Sequence, residues 1–83
     1  ESDLTSIGIY PNPLIDGFYI TNNAGQTLLI NIYNAEGQII SQLRSNKNEV
    51  FIDMKSFAGG IYVVELRTND LIIWRKLLKI NKF

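Results

Sequence analysis

The side chains that most enzymes depend on are missing from this chain. Its 83 residues include no histidine and no cysteine. Imidazole acid–base chemistry, thiolate nucleophiles, disulfides and the usual zinc ligand sets are therefore excluded. A nucleophile would have to be serine, threonine, tyrosine or lysine. Ser41, Ser45 and Ser56 have neither a glycine elbow nor a base nearby. Asp16, Asp53 and Asp70 do not follow calcium-loop spacing. Asp53 and Glu65 fall on outward or mixed faces of predicted strands and read as solvated. Gly59-Gly60 is followed by strand-forming residues rather than a helix, so it is not a phosphate loop. Phe57, Tyr62 and Trp74 could stack on sugars or bases, but each reads better as a core or corner residue. No catalysis, cofactor, metal or small-molecule substrate is expected.

Charge is the remaining chemical resource. The net charge is zero, but its distribution is uneven. Residues 1–43 hold Glu1, Asp3, Asp16 and Glu36 and no Lys or Arg, whereas all the basic residues fall in 44–83. Arg75, Lys76, Lys79 and Lys82 crowd the end of the chain. Dispersed along a strand, such charges solubilise and protect an edge, so a nucleic-acid partner is not expected.

The length allows one domain, and 46% hydrophobic residues suit a regular sheet. The longest apolar runs are far too short to span a membrane as a helix. Glu1 is not a natural start, and the chain reads as a piece of something longer. Glu1–Ser6 reads as the end of an upstream linker, with a single domain over 7–83.

Alternation then predicts strands. Ile7–Tyr10 is the first; Pro11-Asn12-Pro13 cannot donate to a ladder and must lie at an edge or cross between sheets. Phe18 and Ile20 point inward from the next. Leu28, Ile30 and Ile32 share one face of Thr27–Tyr33. Asn34-Ala35-Glu36-Gly37 predicts a type I turn with Gly37 left-handed, leading into Gln38–Arg44. Val50, Ile52 and Met54 face inward. Ser56–Leu66 reads as a corner followed by a central strand, with Tyr62, Val64 and Leu66 on one side. Tyr62, three residues after Gly59, suits a tyrosine corner. Thr68-Asn69-Asp70 predicts a tight turn tolerant of positive φ. In Leu71–Ile80, Ile72, Trp74, Leu78 and Ile80 share one phase and Lys76 breaks it, which suggests a bulge or an edge. Seven strands with frequent turns predict an all-β, seven-stranded antiparallel immunoglobulin-like β-sandwich.

Four blocks of this sequence resemble, in order and spacing, the C-terminal sorting domain of type IX secretion system substrates of Bacteroidetes. They are Tyr10-Pro11-Asn12-Pro13 with the strand Phe18–Thr21, the strand–turn–strand Leu29–Ile40, the segment Ile52–Val64, and Arg75–Ile80. Together they cover about residues 7–80. Gln38 stands where the family often has Lys or Arg after the glycine, and Asn81-Lys82-Phe83 runs past its usual lysine-ended terminus.

The resemblance implies an export signal that carries an upstream cargo from the periplasm through the outer-membrane translocon to the cell surface. It also implies removal, in many members, by a surface signal peptidase as cargo is joined to lipopolysaccharide. In that case the domain is a substrate and not an enzyme. Arg75, Lys76, Leu77, Leu78, Lys79 and Ile80 are the expected translocon-recognition strip, with a free strand edge available to a receptor sheet or to a second copy. Tyr10, Pro11, Asn12, Pro13, Gly37, Gly59, Gly60 and Tyr62 are expected to be structural. The competing reading is an immunoglobulin-like adhesion or carbohydrate-binding module, which predicts an aromatic platform such as Tyr19, Tyr33 and Phe51 on one outer face.

Overall fold

A computed structural model of the chain describes residues 7–23 and 25–81; the linker reading of residues 1–6 lies outside them, as does Lys82. Seven strands follow in order: β1 (Ile7–Tyr10), β2 (Gly17–Asn22), β3 (Leu28–Tyr33), β4 (Ile39–Ser45), β5 (Glu49–Asp53), β6 (Gly60–Arg67) and β7 (Ile72–Lys79). They form two antiparallel sheets, ordered β1-β2-β5 and β4-β3-β6-β7. The expected all-β sandwich is the fold, and β6 is central as read, flanked by β3 and β7.

Period-2 alternation explains most of the core. Phe18 and Ile20 from β2 meet Leu28, Ile30 and Ile32 from β3, with Val64 and Leu66 from β6, all at most 1% exposed. Ile52, Met54 and Tyr62 are buried with them, and Val50 is partly buried against the cluster. Each such aliphatic or aromatic side chain is worth about 1.5–3 kcal/mol when fully buried. Leu14, unassigned by alternation, is also completely buried.

Between β1 and β2, Pro11–Leu14 crosses from the small sheet to the free edge of the large one. Both X–Pro bonds, Tyr10–Pro11 and Asn12–Pro13, are cis. Leu14 makes a single parallel bridge to Lys79: its N–H donates to the Leu78 carbonyl (2.9 Å) and its carbonyl accepts from the Ile80 N–H (2.8 Å).

The β3–β4 turn is built as its sequence predicts. Gly37 has φ +86° and donates to the Asn34 carbonyl, while Asn34 Oδ1 accepts from the N–H groups of Glu36 and Gln38. A register irregularity follows at Ile32/Tyr33, where Ile40 is the extra residue of β4.

Three expectations are corrected. First, β7 has the opposite phase. Its register with β6 is unbroken and pairs Tyr62 with Leu77, Val64 with Arg75 and Leu66 with Ile73. Cross-strand partners share a face, so Ile73 and Leu77 point inward and there is no bulge at Lys76. Ile72, Trp74, Leu78 and Ile80 are exposed instead. Second, the β6–β7 turn uses no positive φ at Asn69 or Asp70. Thr68 Oγ1 organises it by accepting from the N–H groups of Asp70 (3.2 Å) and Leu71 (3.1 Å). Third, Glu65 is not solvated. It is only 5% exposed, because Asn31 and Trp74 are its neighbours across the ladder on either side.

Candidate recognition surface

The Arg75–Ile80 strip divides between the two faces of β7. Leu77 is wholly buried and Lys79 is 6% exposed, whereas Arg75, Lys76, Leu78 and Ile80 are exposed. Lys79 lies opposite Gly60 at the start of β6. The six residues are therefore not one continuous surface.

The strand edge is also less free than the sequence suggests. Asn12 Nδ2 donates to the Lys76 carbonyl (3.0 Å), and Asn12 Oδ1 accepts from the Leu78 N–H (3.1 Å). The Asn12 amide thus imitates one residue of a neighbouring strand, and Leu14 continues the pairing to Ile80. Along Ile72–Arg75 no such cover is seen among the described residues, and there Arg75 donates to the Trp74 carbonyl. Asn12→Ala should cost about 1–3 kcal/mol, the net value of two hydrogen bonds. It should also speed amide hydrogen exchange at Leu78 selectively, which NMR would read residue by residue.

Gly59, Gly60 and Tyr62 build the corner entering β6. The Tyr62 hydroxyl donates to the Ala58 carbonyl at 2.5 Å, and its ring meets Phe57 edge-on at 6.4 Å. Gly60 has φ +150°. A Cβ at Gly59 would lie 3.0 Å from the Asn81 side chain. Tyr62→Phe keeps the ring and removes the bond to Ala58. About 0.5–1.5 kcal/mol of stability should be lost, visible as a lower urea midpoint at unchanged slope.

The outer face of the large sheet was not anticipated as a surface. Strand register sets its side chains in rows across β4, β3, β6 and β7: Arg44–Leu29–Arg67–Ile72, then Gln42–Asn31–Glu65–Trp74, then Ile39–Tyr33–Val63–Lys76, with Ile61–Leu78 beyond. The second row is a polar chain. Gln42 donates to Asn31 Oδ1 (2.7 Å), and Asn31 donates to Glu65 Oε1 (2.9 Å). Glu65 also accepts from the Tyr33 hydroxyl and pairs with Arg67 at 3.2 Å. Desolvation, then the bond to Glu65, raises the Tyr33 phenol above its usual 10.0.

Beside this chain lies a cleft of about 560 Å³, walled by Tyr33, Ala35, Ile61, Val63 and Trp74. The Tyr33 and Trp74 rings are 5.8 Å apart. Trp74 is 54% exposed, Ile39 53% and Leu78 41%. The sequence signal for this face was the apolar outward phase of β7, legible only once β7 is phased against β6.

On the small sheet, Tyr10, Tyr19 and Phe51 lie side by side across β1, β2 and β5. Tyr19 and Phe51 share that face as expected, but Tyr33 belongs to the other sheet. Tyr10 and Tyr19 stack at 5.4 Å and 22°. Tyr10 also donates to Glu49 at 2.6 Å, a bond that raises its phenol. Among the described residues, no three Asp or Glu side chains gather as a metal site.

The chain is thus a small β-sandwich with an apolar outer face and a tethered final strand. The comparisons say which kind. Residues 8–80 match the family described as the secretion system C-terminal sorting domain, and the chain belongs to that family, bearing out its sequence resemblance to type IX sorting domains. Ulvan lyase NLR42 of Nonlabens ulvanivorans is 30% identical over 82 residues, which is 98% of this chain but 15% of the lyase. PorZ, an essential surface component of the type IX secretion system of Porphyromonas gingivalis, contains a similar structure. The TM-score is 0.76 at 25% identity, covering 95% of this chain and 12% of PorZ.

Proposed function

We propose that the domain is the address that takes an attached cargo from the periplasm through the type IX translocon to the cell surface. There a signal peptidase removes it in the course of anchoring. The family match over residues 8–80, which takes in the sandwich except for Ile7, carries this reading. As a sorting signal the domain is handled by other proteins and performs no chemistry of its own. Its rigid sheet offers a receptor a preformed surface, which lowers the ordering cost of being read. Arg75, Lys76, Leu78 and Ile80 are the members of the β7 strip that a receptor can reach without unfolding it. Fusing Glu1–Phe83 to a periplasmic reporter in a type IX-competent cell should bring the reporter to the surface. Retention of the fusion in the periplasm would refute the reading.

The adhesion or carbohydrate reading has less support. Tyr10 and Tyr19 turn their ring faces toward each other, and Phe51 is tilted 54° from Tyr19. The three do not form a coplanar floor for a sugar ring.

A further inference from the structure

We propose that the outer face of the four-stranded sheet, centred on the Tyr33–Trp74 cleft, is the surface on which the domain is read. Its occupant is a protein segment that presents an apolar side chain beside a carboxylate. This rests on the sorting reading and adds the place and chemistry of the contact. An exposed, contiguous apolar patch is a standing cost unless a partner covers it. Here Ile39, Ile61, Ile72, Trp74 and Leu78 are each 40–54% exposed on one face. The cleft is shallow and open, with the Tyr33 and Trp74 rings packed along its edge. An apolar recess beside aromatic rings suits an apolar anchoring side chain of a partner.

The charges on the face select the neighbour of that anchor. Its exposed ionic side chains, Arg44, Arg67 and Lys76, are all cationic. Lys76 lies directly across from Val63 at the cleft wall. The one carboxylate in the rows, Glu65, is buried and already engaged by Arg67, Asn31 and Tyr33. Glu36, on the β3–β4 turn, lines an adjoining depression. A second copy bringing the same face would set cation against cation. A flat lipid surface supplies no side chain to fill a cleft. The first strand, β1, belongs to the opposite sheet.

The test uses the exported reporter fusion. Ile61→Asp and Lys76→Glu should each lower surface delivery at least about tenfold, the effect of losing about 1.4 kcal/mol at a receptor. Circular dichroism and Tm of the purified variants should match the parent. If Ile61→Asp fails to fold, the already exposed Trp74→Ala takes its place. A photocrosslinking residue at Ile61 should trap an outer-membrane translocon protein, and one at Tyr19, on the other sheet, should not.

Delivery of folded variants at the parent rate would overturn the proposal while leaving the sorting reading intact. So would crosslinking of Ile61 to a second copy. Binding of the parent, but not of Lys76→Glu, to phosphatidylglycerol vesicles would transfer the face to lipid and overturn it equally. Failure of the parent fusion itself to reach the surface would overturn the sorting reading, and this proposal with it.

Discussion

Gly17→Ala should destabilise the domain by more than about 3 kcal/mol. A Cβ at Gly17 would lie 2.2 Å from the Ile52 carbonyl oxygen and 2.5 Å from the Phe51 ring. The ring could swing away, but the oxygen belongs to β5 and cannot move without opening the β2–β5 ladder at Gly17↔Asp53 and Phe18↔Ile52. The neighbouring Met54 N–H to Asp16 carbonyl bond, 2.8 Å, would be strained with it. Ordinary overpacking costs about 1–3 kcal/mol, and a clash against backbone should exceed that range. A domain of this size has only roughly 4–12 kcal/mol in reserve. Gly37→Ala is the informative control. It has a positive φ but open space around the missing Cβ, so it should cost only about 1–2 kcal/mol. Circular dichroism with urea titration should rank the two clearly. Equal midpoints would mean that β2 and β5 do not approach as described.

Adjacent leucines in β7 should behave in opposite ways. Leu77→Ala should cost about 2–5 kcal/mol, because it empties a fully enclosed position opposite Tyr62. Leu78→Ala should cost under about 1 kcal/mol, since its side chain is 41% exposed. In export the order reverses for any variant that still folds: Leu78 lies on the face proposed to be read, and Leu77 is hidden from it. Thermal denaturation of both purified variants, alongside surface delivery of both fusions, measures the two effects separately. Similar Tm losses would show that β7 is out of register with β6.

That pair also marks where sequence reasoning failed. In β2, β3, β5 and β6 the apolar phase is the inner phase, so alternation alone identified Phe18, Ile20, Leu28, Ile30, Ile32, Ile52, Val64 and Leu66. In β7 the outer phase holds Ile72, Trp74 and Leu78, while Arg75 and Lys79 occupy the inner one. A hydrophobicity count therefore inverts the strand. The inversion arises because an edge strand can lead a cation such as Arg75 out to water from its inner phase, and because the outward face carries apolar groups of its own.

Glu65 was misjudged for a related reason. Its burial comes from Asn31 on β3 and Trp74 on β7, neighbours that no local pattern displays. Local chemistry was legible where the partners are close in sequence, as in the Asn34–Gly37 turn and the Tyr62–Ala58 corner. The family could be recognised from its blocks, but the cleft could not, since Tyr33, Ile61 and Trp74 meet only when three strands are side by side.

Asn12 and Leu14 hold residues 76–80 across more than 60 positions of sequence, so the first part of the domain is finished by the last part. A ribosome that stopped before Leu78 would leave Leu14 without its two backbone partners, Leu78 and Ile80, and Asn12 without one of its two bonds. The sandwich therefore closes only on a polypeptide translated through to β7. On the proposed reading of a folded face, chains that stop short of β7 carry most of the address but cannot present it.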